Sequence, residues 1–451
     1  MAPSAGADPA NAVAKPAGTR LNTVWFLWAS LALLLVFVLY NAGWEQVLSY
    51  LLLGLPQGCI IAMIALGYSM VYGIIQLINF AHGEIFMLSA YLTLALVVPA
   101  DWANERWVLG IAAFAALLAF TVGTTVFTVA EEAIRSGWHR LALAVAAGAA
   151  AGLGLHQLFR LEVPYFLAVA ISAVVAPSLG IAMDRIAYRP LRSAPRLIPL
   201  ITAIGVSIFL VNFSQLMFSA TDFRIPDDSL PPILQPYFPS WDDPEPQGLW
   251  ETITVTKSIP VTETVSIQFV DVIILGLTLV MLGGVNFFVQ KTKAGAAMRA
   301  CALDQNMARL VGIDVNRTVA MTFALGSALA AVASPFYVVK YASISPTMGY
   351  IVGILAFSSA VLGGIGSIKG AMLGGFLLGI IYNLVPLFEV TADWPFFEWL
   401  ATLPAFAGVE NWNLLAGISE WRLGLAYIFM MVVLVVRPSG LFGQSAAARR
   451  A

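Results

Sequence analysis

The feature that most constrains this chain is a series of apolar runs, each long enough to cross a bilayer, recurring from Val24 to Val436. A helical span needs about 20 apolar residues, at about 1.5 Å of rise each. Within hydrocarbon every backbone N–H and C=O must be satisfied by the chain itself, so only helices and closed barrels span. These runs are continuous and do not alternate inward and outward, which excludes a barrel. Apolar residues make up 60% of the chain and charged residues 11%, where a soluble protein carries about 25% charged. The chain therefore reads as an all-α polytopic membrane protein. About 10–12 transmembrane helices are expected, some of them discontinuous, in pseudo-repeated halves.

Charge between the runs orients them. Residues 1–23 are rich in Ala, Pro and Gly and read as a disordered cytoplasmic N-terminus, with Lys15 and Arg20 on the inside. The run Val24–Tyr40 lacks a small-residue cleavage site and reads as a retained span. The loop DRIAYRPLRSAPR carries Arg185, Arg189, Arg192 and Arg196 against Asp184, and Lys291–Arg317 carries five basic residues against Asp304 and Asp314. Both are cytoplasmic by the positive-inside rule. Residues 220–268 and 387–420 are acidic and loop-rich, and so periplasmic; the stretch ending at Phe269 carries β-branched residues suited to a small hairpin. The transmembrane domain spans 24–443, and the tail 444–451 returns both termini to the cytoplasm.

Within the loop 291–317, Ala300, Leu303, Met307 and Leu310 recur at helical spacing, with Arg299, Asn306 and Arg309 on the other side and Gly312 placed to end the helix. A cytoplasmic amphipathic helix between spans serves either as a lever for a soluble partner or as a basic loop that only sets topology. The pattern alone leaves both open.

Two apolar stretches are interrupted. The first carries Asn79, His82, Gly83 and Glu84 in NFAHGE, and the second carries Gly363, Gly364, Gly366 and Ser367 in GGIGSIKG. Matched breaks in corresponding halves point to a substrate path near the bilayer midplane, because irregular backbone at that depth must line a cavity or be buried in protein. Single glycines more often serve close helix packing. His82 and Glu84 are functional candidates as intramembrane ionisable residues, or else satisfy helix-terminal groups. Two such groups do not make a proton relay.

The chain has no phosphate-binding loop of the G-x-x-x-x-G-K-[ST] type. Its three histidines, His82, His139 and His156, are too scattered for a metal site, and nothing supports a catalytic constellation or an enzyme. No cofactor, metal or nucleic acid is expected; lipid is the surrounding medium.

The stretches GYSMVYGIIQLINFAHGEIFMLSAYL, DRIAYRPLRSAPRLIPLITAIGVSIFL, KTKAGAAMRACALDQNMARLVGIDVNR, AVLGGIGSIKGAMLGGFLLGI and RPSGLFG resemble the H-type permease of bacterial branched-chain amino acid ABC transporters. The resemblance implies a multi-pass subunit of the bacterial inner membrane that imports branched-chain, aliphatic amino acids by alternating access. It implies a second, M-type permease, two cytoplasmic ATPase subunits that use the ATP, and a periplasmic substrate-binding protein. It also favours the lever reading, assigning Arg299, Ala300, Asp304, Met307, Arg309 and Gly312 to an ATPase-coupling helix. Relatives of this family serve urea and short amides, which stands as the alternative substrate class. A stand-alone channel or secondary carrier is the alternative mechanism. The N-terminal extension, the apolar runs within 108–160 and the enlarged outer loops depart from the family's shorter pattern.

Overall fold

The computed structural model describes residues 43–77, 79–97, 105–129, 137–158, 163–192, 194–195, 197–218, 220–224, 258–262, 264–388, 418–437 and 439–442. The expected span at 24–40, the N-terminal segment 1–23, the tail 444–451 and most of both acidic loops lie outside the described residues.

Thirteen helices are described: α1 (Trp44–Ile75), α2 (His82–Val97), α3 (Glu105–Val129), α4 (Gly137–Leu158), α5 (Tyr165–Met183), α6 (Leu197–Met217), α7 (Phe269–Lys291), α8 (Lys293–Leu303), α9 (Gln305–Leu310), α10 (Val315–Tyr341), α11 (Met348–Gly363), α12 (Ile368–Leu384) and α13 (Arg422–Val436). Eight helical segments among the described residues are long and apolar enough to cross a membrane, and three shorter apolar ones accompany them at 82–97, 111–127 and 348–363. The all-α polytopic class is what the sequence predicts. Two small antiparallel ladders complete the secondary structure. β2 (Ser258–Pro260) pairs with β3 (Ser266–Gln268) in the hairpin expected there, and β1 (Phe223–Arg224) pairs with β4 (Ser343–Ile344).

Small residues set the helix contacts. Along α1, Gly54, Gly58 and Ala62 fall on one stripe and meet Gly375 and Gly379 of α12. A Cβ on Gly379 would lie 2.3 Å from the Gly58 Cα, and one on Gly375 2.5 Å from the Ala62 Cα. With no hydrophobic drive between helices in lipid, such backbone-to-backbone approach is the main source of association. In this part of the chain, close packing is therefore the reason for the glycines. The α3–α4 pair within 108–160 follows the same rule, with Gly148 against the Ala119 carbonyl at 2.3 Å from a would-be Cβ.

The two ends of the bundle differ in their joints. At the basic end, residues 184–188 form a widened helical turn after α5, in which the Arg189 N–H reaches the Asp184 carbonyl. Asp184, 1% exposed, pairs there with Arg192. Arg192 also donates to Asn316 Oδ1 at 2.8 Å, so this arginine of the basic loop is spent on internal contacts. Residues 439–442, after α13, lie against the α11–α12 turn. Leu441 and Phe442 N–H groups donate to the Leu362 and Gly363 carbonyls at 2.8 and 3.0 Å, capping α11. At the acidic end, half-buried Lys340 of α10 pairs with buried Asp271 of α7.

The basic loop 291–317 departs from the single helix that the spacing predicts. Asp304 is extended, at φ −157° and ψ 115°, and divides it into α8 and α9. Its carboxylate accepts from the Asn306 and Met307 N–H groups at 2.7 and 3.1 Å, so the residue acts as the N-cap of α9. Gly312 ends α9 at φ +85°, a left-handed conformation that glycine adopts without steric cost.

Candidate functional site

The first break separates α1 from α2, and its geometry defines the candidate site. α1 ends at Ile75, and Gln76 turns the chain at φ 55°. The chain then runs back along α1 before α2 begins. His82, its first residue, lies beside Gly67, where a Cβ would sit 2.3 Å from His82 Nε2, and its ring stacks edge-on against Tyr68 at 4.9 Å. Since Gly67 lies eight residues before Ile75, α2 starts about 12 Å inside the end of α1. All of its residues are buried. From that level α2 runs toward the acidic end, where the Leu96 carbonyl accepts from Val163 N–H at 2.9 Å.

The second break is placed differently from the expectation. Gly363, Gly364, Gly366 and Ser367 form a tight turn joining α11 to α12. Gly366 lies against Gly73 near the end of α1, and its N–H donates to Ser69 Oγ at 3.2 Å. Gly73 is six residues beyond Gly67, about 9 Å nearer the basic end. Gly364 and Gly366 take φ of 104° and 86° because the turn reverses the chain there, and Ser367 caps α12 by accepting from Gly370 N–H at 3.1 Å. These four residues are a helix–helix turn and do not match the first break in depth.

The counterpart of the first break is the segment 342–347, which carries no glycine or ionisable residue to mark it. α10 reaches Tyr341, about 22 Å beyond Gly326, the residue that touches Gly67 and His82. The chain then turns back through β4, and α11 begins beside the start of α2. A Cβ on Gly349 would lie 2.6 Å from both the Gly83 carbonyl oxygen and Glu84 Oε2, and one on Gly353 would lie 3.1 Å from the Gly83 Cα. α11 then descends toward the basic end, its Phe357 ring 6.2 Å from Tyr68. Two half-length helices thus start side by side inside the bundle and run in opposite directions.

Polar groups concentrate where these N-termini meet. Glu84, 0% exposed, accepts from Ser207 Oγ of α6 at 2.8 Å through Oε1, while its Oε2 has no hydrogen-bond partner. Asn79 Oδ1 accepts from the Tyr188 hydroxyl at 2.6 Å, while Asn79 Nδ2 and His82 Nε2 are buried and unpartnered. Asn79, His82, Gly83 and Glu84 are therefore brought together; Gly363, Gly364, Gly366 and Ser367 are not part of the group. Tyr188, Ser207 and Gly349 belong to it although sequence reasoning missed them. The signal available was the charge of Glu84 itself, which needs a partner from another span. No group of three or more potential metal ligands occurs among the described residues.

The second candidate feature is the outer surface of α8 and α9. Leu303, Met307, Leu310 and Val311 are 89%, 62%, 80% and 76% exposed, forming an apolar patch at the basic end. Met298, Cys301 and Ala308 face inward instead. Arg299 and Arg309 are exposed beside the patch, Arg299 donating to the Val289 carbonyl, and Ala300 is half-buried.

The family described as branched-chain amino acid transport system / permease component matches residues 50–436. The high-affinity branched-chain amino acid transport system permease protein BraD of Pseudomonas aeruginosa is 35% identical over 333 residues, covering 74% of this chain and 84% of that protein. The permease protein LivH of the corresponding system in Escherichia coli K12 is 34% identical over 327 residues, covering 72% and 82%. The xylose transport system permease protein XylH of Escherichia coli K12 is 31% identical over 129 residues, 27% of this chain and 33% of that one. No solved structure matches.

Proposed function

From the premise that the chain belongs to the branched-chain amino acid transport system permease family, we propose that it is the membrane subunit of an ATP-driven importer of branched-chain amino acids. The observation that carries this reading is the pair of opposed half-helices, α2 and α11, meeting at a buried polar junction inside a bundle of spans. Half-helices that start at mid-depth are how transport folds build a substrate path, because their free N-terminal N–H groups lie where substrate passes. Asn79, His82, Gly83 and Glu84 belong to that path in this reading.

The apolar patch of Leu303, Met307, Leu310 and Val311 is the surface for an ATPase subunit. Four large apolar side chains left in water beside exposed arginines are costly unless covered. Two such ATPases use the ATP, and this chain holds no cofactor of its own. A second permease and a periplasmic binding protein complete the transporter, which sits in the bacterial inner membrane with both termini in the cytoplasm.

The test is labelled leucine uptake in membrane vesicles holding this chain and its partners, with and without ATP, and with urea and a short amide as competitors. ATP-dependent leucine uptake supports the reading. ATP-dependent uptake blocked only by urea or amide keeps the class and replaces the substrate. Uptake indifferent to ATP overturns it in favour of a stand-alone carrier. In the same vesicles Leu310→Glu is expected to abolish ATP-driven uptake while the chain remains inserted.

A further inference from the structure

We infer that Glu84 is a positioning residue that keeps the path shut, its carboxylate offsetting the positive ends of two opposed helices. Each helix N-terminus carries about half a positive charge. α2 and α11 place two such ends side by side, within contact at Gly83 and Gly349. Their sum is about one unit charge, which a single carboxylate balances. Glu84 lies in the first turn of α2, and its Oε2 borders Gly349 in the first turn of α11.

The remaining contacts make the carboxylate a three-way joint. Oε1 accepts from Ser207 Oγ at 2.8 Å, tying α6 to the two half-helices. Oε2 has no donor of its own although Glu84 is fully buried. A buried carboxylate oxygen with no hydrogen-bond partner needs another source of stabilisation; here the paired helix ends supply it. Gly349 is required for the fit, since any Cβ there would press on Oε2 and on the Gly83 carbonyl at 2.6 Å. For substrate to pass, α2 and α11 must part, which separates the carboxylate from one of its two positive ends. The charge therefore favours the closed junction. Without it two like dipole ends remain in contact, and the junction loosens with no input from ATP.

This inference rests on the transport reading, and the experiment separates the two. Vesicles holding the complete transporter are preloaded with labelled leucine, and efflux is followed without ATP, alongside ATP-driven uptake. Absence of ATP-driven uptake in the parent protein counts against the transport reading and removes this inference with it. With uptake established, Glu84→Gln, which keeps the shape and the acceptor for Ser207, is expected to raise ATP-independent efflux about ten-fold or more. Gly349→Ala, which displaces Oε2 sterically, is expected to leak in the same way. Tight vesicles with Glu84→Gln overturn the inference, whether uptake is normal or lost, because loss without leak is what a merely structural role produces. Should Glu84→Gln fail to insert, Glu84→Leu, which also removes the charge and leaves the Gly83–Gly349 contact unclashed, decides by the same criterion.

Discussion

The Tyr188 hydroxyl donates a 2.6 Å hydrogen bond to Asn79 Oδ1, joining residues 109 positions apart. It binds the basic loop after α5 to the break between α1 and α2, with both side chains buried. The Tyr188 ring also stacks on Phe323 of α10 at 5.5 Å. One side chain therefore fixes the approach to α2 from two neighbouring elements.

Removing that hydroxyl leaves Asn79 without the partner of its oxygen, while its Nδ2 is already unpartnered. Tyr188→Phe is expected to destabilise the detergent-solubilised protein by about 1–3 kcal/mol, the cost of an unsatisfied buried acceptor. Thermal unfolding checks it. The double variant with Asn79→Leu is expected to cost less than the sum of the two single changes, because the residues are in direct contact.

Glycines in this chain divide by what faces them. Gly379 meets the Gly58 backbone, whereas Gly276 on α7 has nothing within 4 Å of a would-be Cβ. Gly379→Ala is expected to push α1 and α12 apart at a cost of about 1–3 kcal/mol. Gly276→Ala is expected to be neutral or stabilising by up to about 1 kcal/mol, from helix propensity alone. Equal effects in thermal unfolding would show that the α1–α12 contact is looser than described.

Asp304 caps α9 through two backbone N–H groups. Asp304→Ala is expected to cost that short helix about 0.5–2 kcal/mol, and Asp304→Asn or Asp304→Ser to restore most of it. Hydrogen exchange at Asn306 and Met307 reads this directly. If the apolar patch seats an ATPase, ATP-driven uptake falls in Asp304→Ala and returns with the two capping variants.

Cys301 on α8 is 1% exposed. Burial pushes its thiol above the ordinary range, and a hydrogen bond with Thr318 offsets only part of that rise. Because the thiolate is the reacting form, a raised value means less thiolate at pH 7.5 than in a free cysteine. Maleimide labelling is expected to be slow at pH 7.5 and to accelerate as pH rises. Rapid labelling at pH 7.5, followed by mass spectrometry, would show that α8 does not pack as described.

Local chemistry made several elements legible without any structure. Gly312 is a legible stop, since it acts within its own turn, whereas the caps Asp304, Asp314 and Ser367 show themselves only in the structure. The break at 76–81 was visible because Asn79, His82 and Glu84 interrupt an apolar run. The division of α8 from α9 was not, since Ala300, Leu303, Met307 and Leu310 keep helical spacing across Asp304. Nor does that spacing tell that Leu303, Met307 and Leu310 face outward while Cys301 and Ala308 face in.

By itself, then, the sequence determined the all-α membrane class and the apolar spans among the described residues, because membrane insertion depends on hydropathy summed along a segment. It also determined the stop at Gly312 and the first break. Tertiary structure decided which break is which. The glycine-rich stretch 363–370 holds the turn between α11 and α12, and the true counterpart of 76–81 lies at 342–347, in a segment with no glycine. It also decided that Glu84 meets Ser207, 123 residues away, and Gly349 across a helix junction. The reason is physical. In a membrane, apolar surface is equally content against lipid or protein, so hydropathy does not say which helices touch; close backbone approach and buried polar partners do.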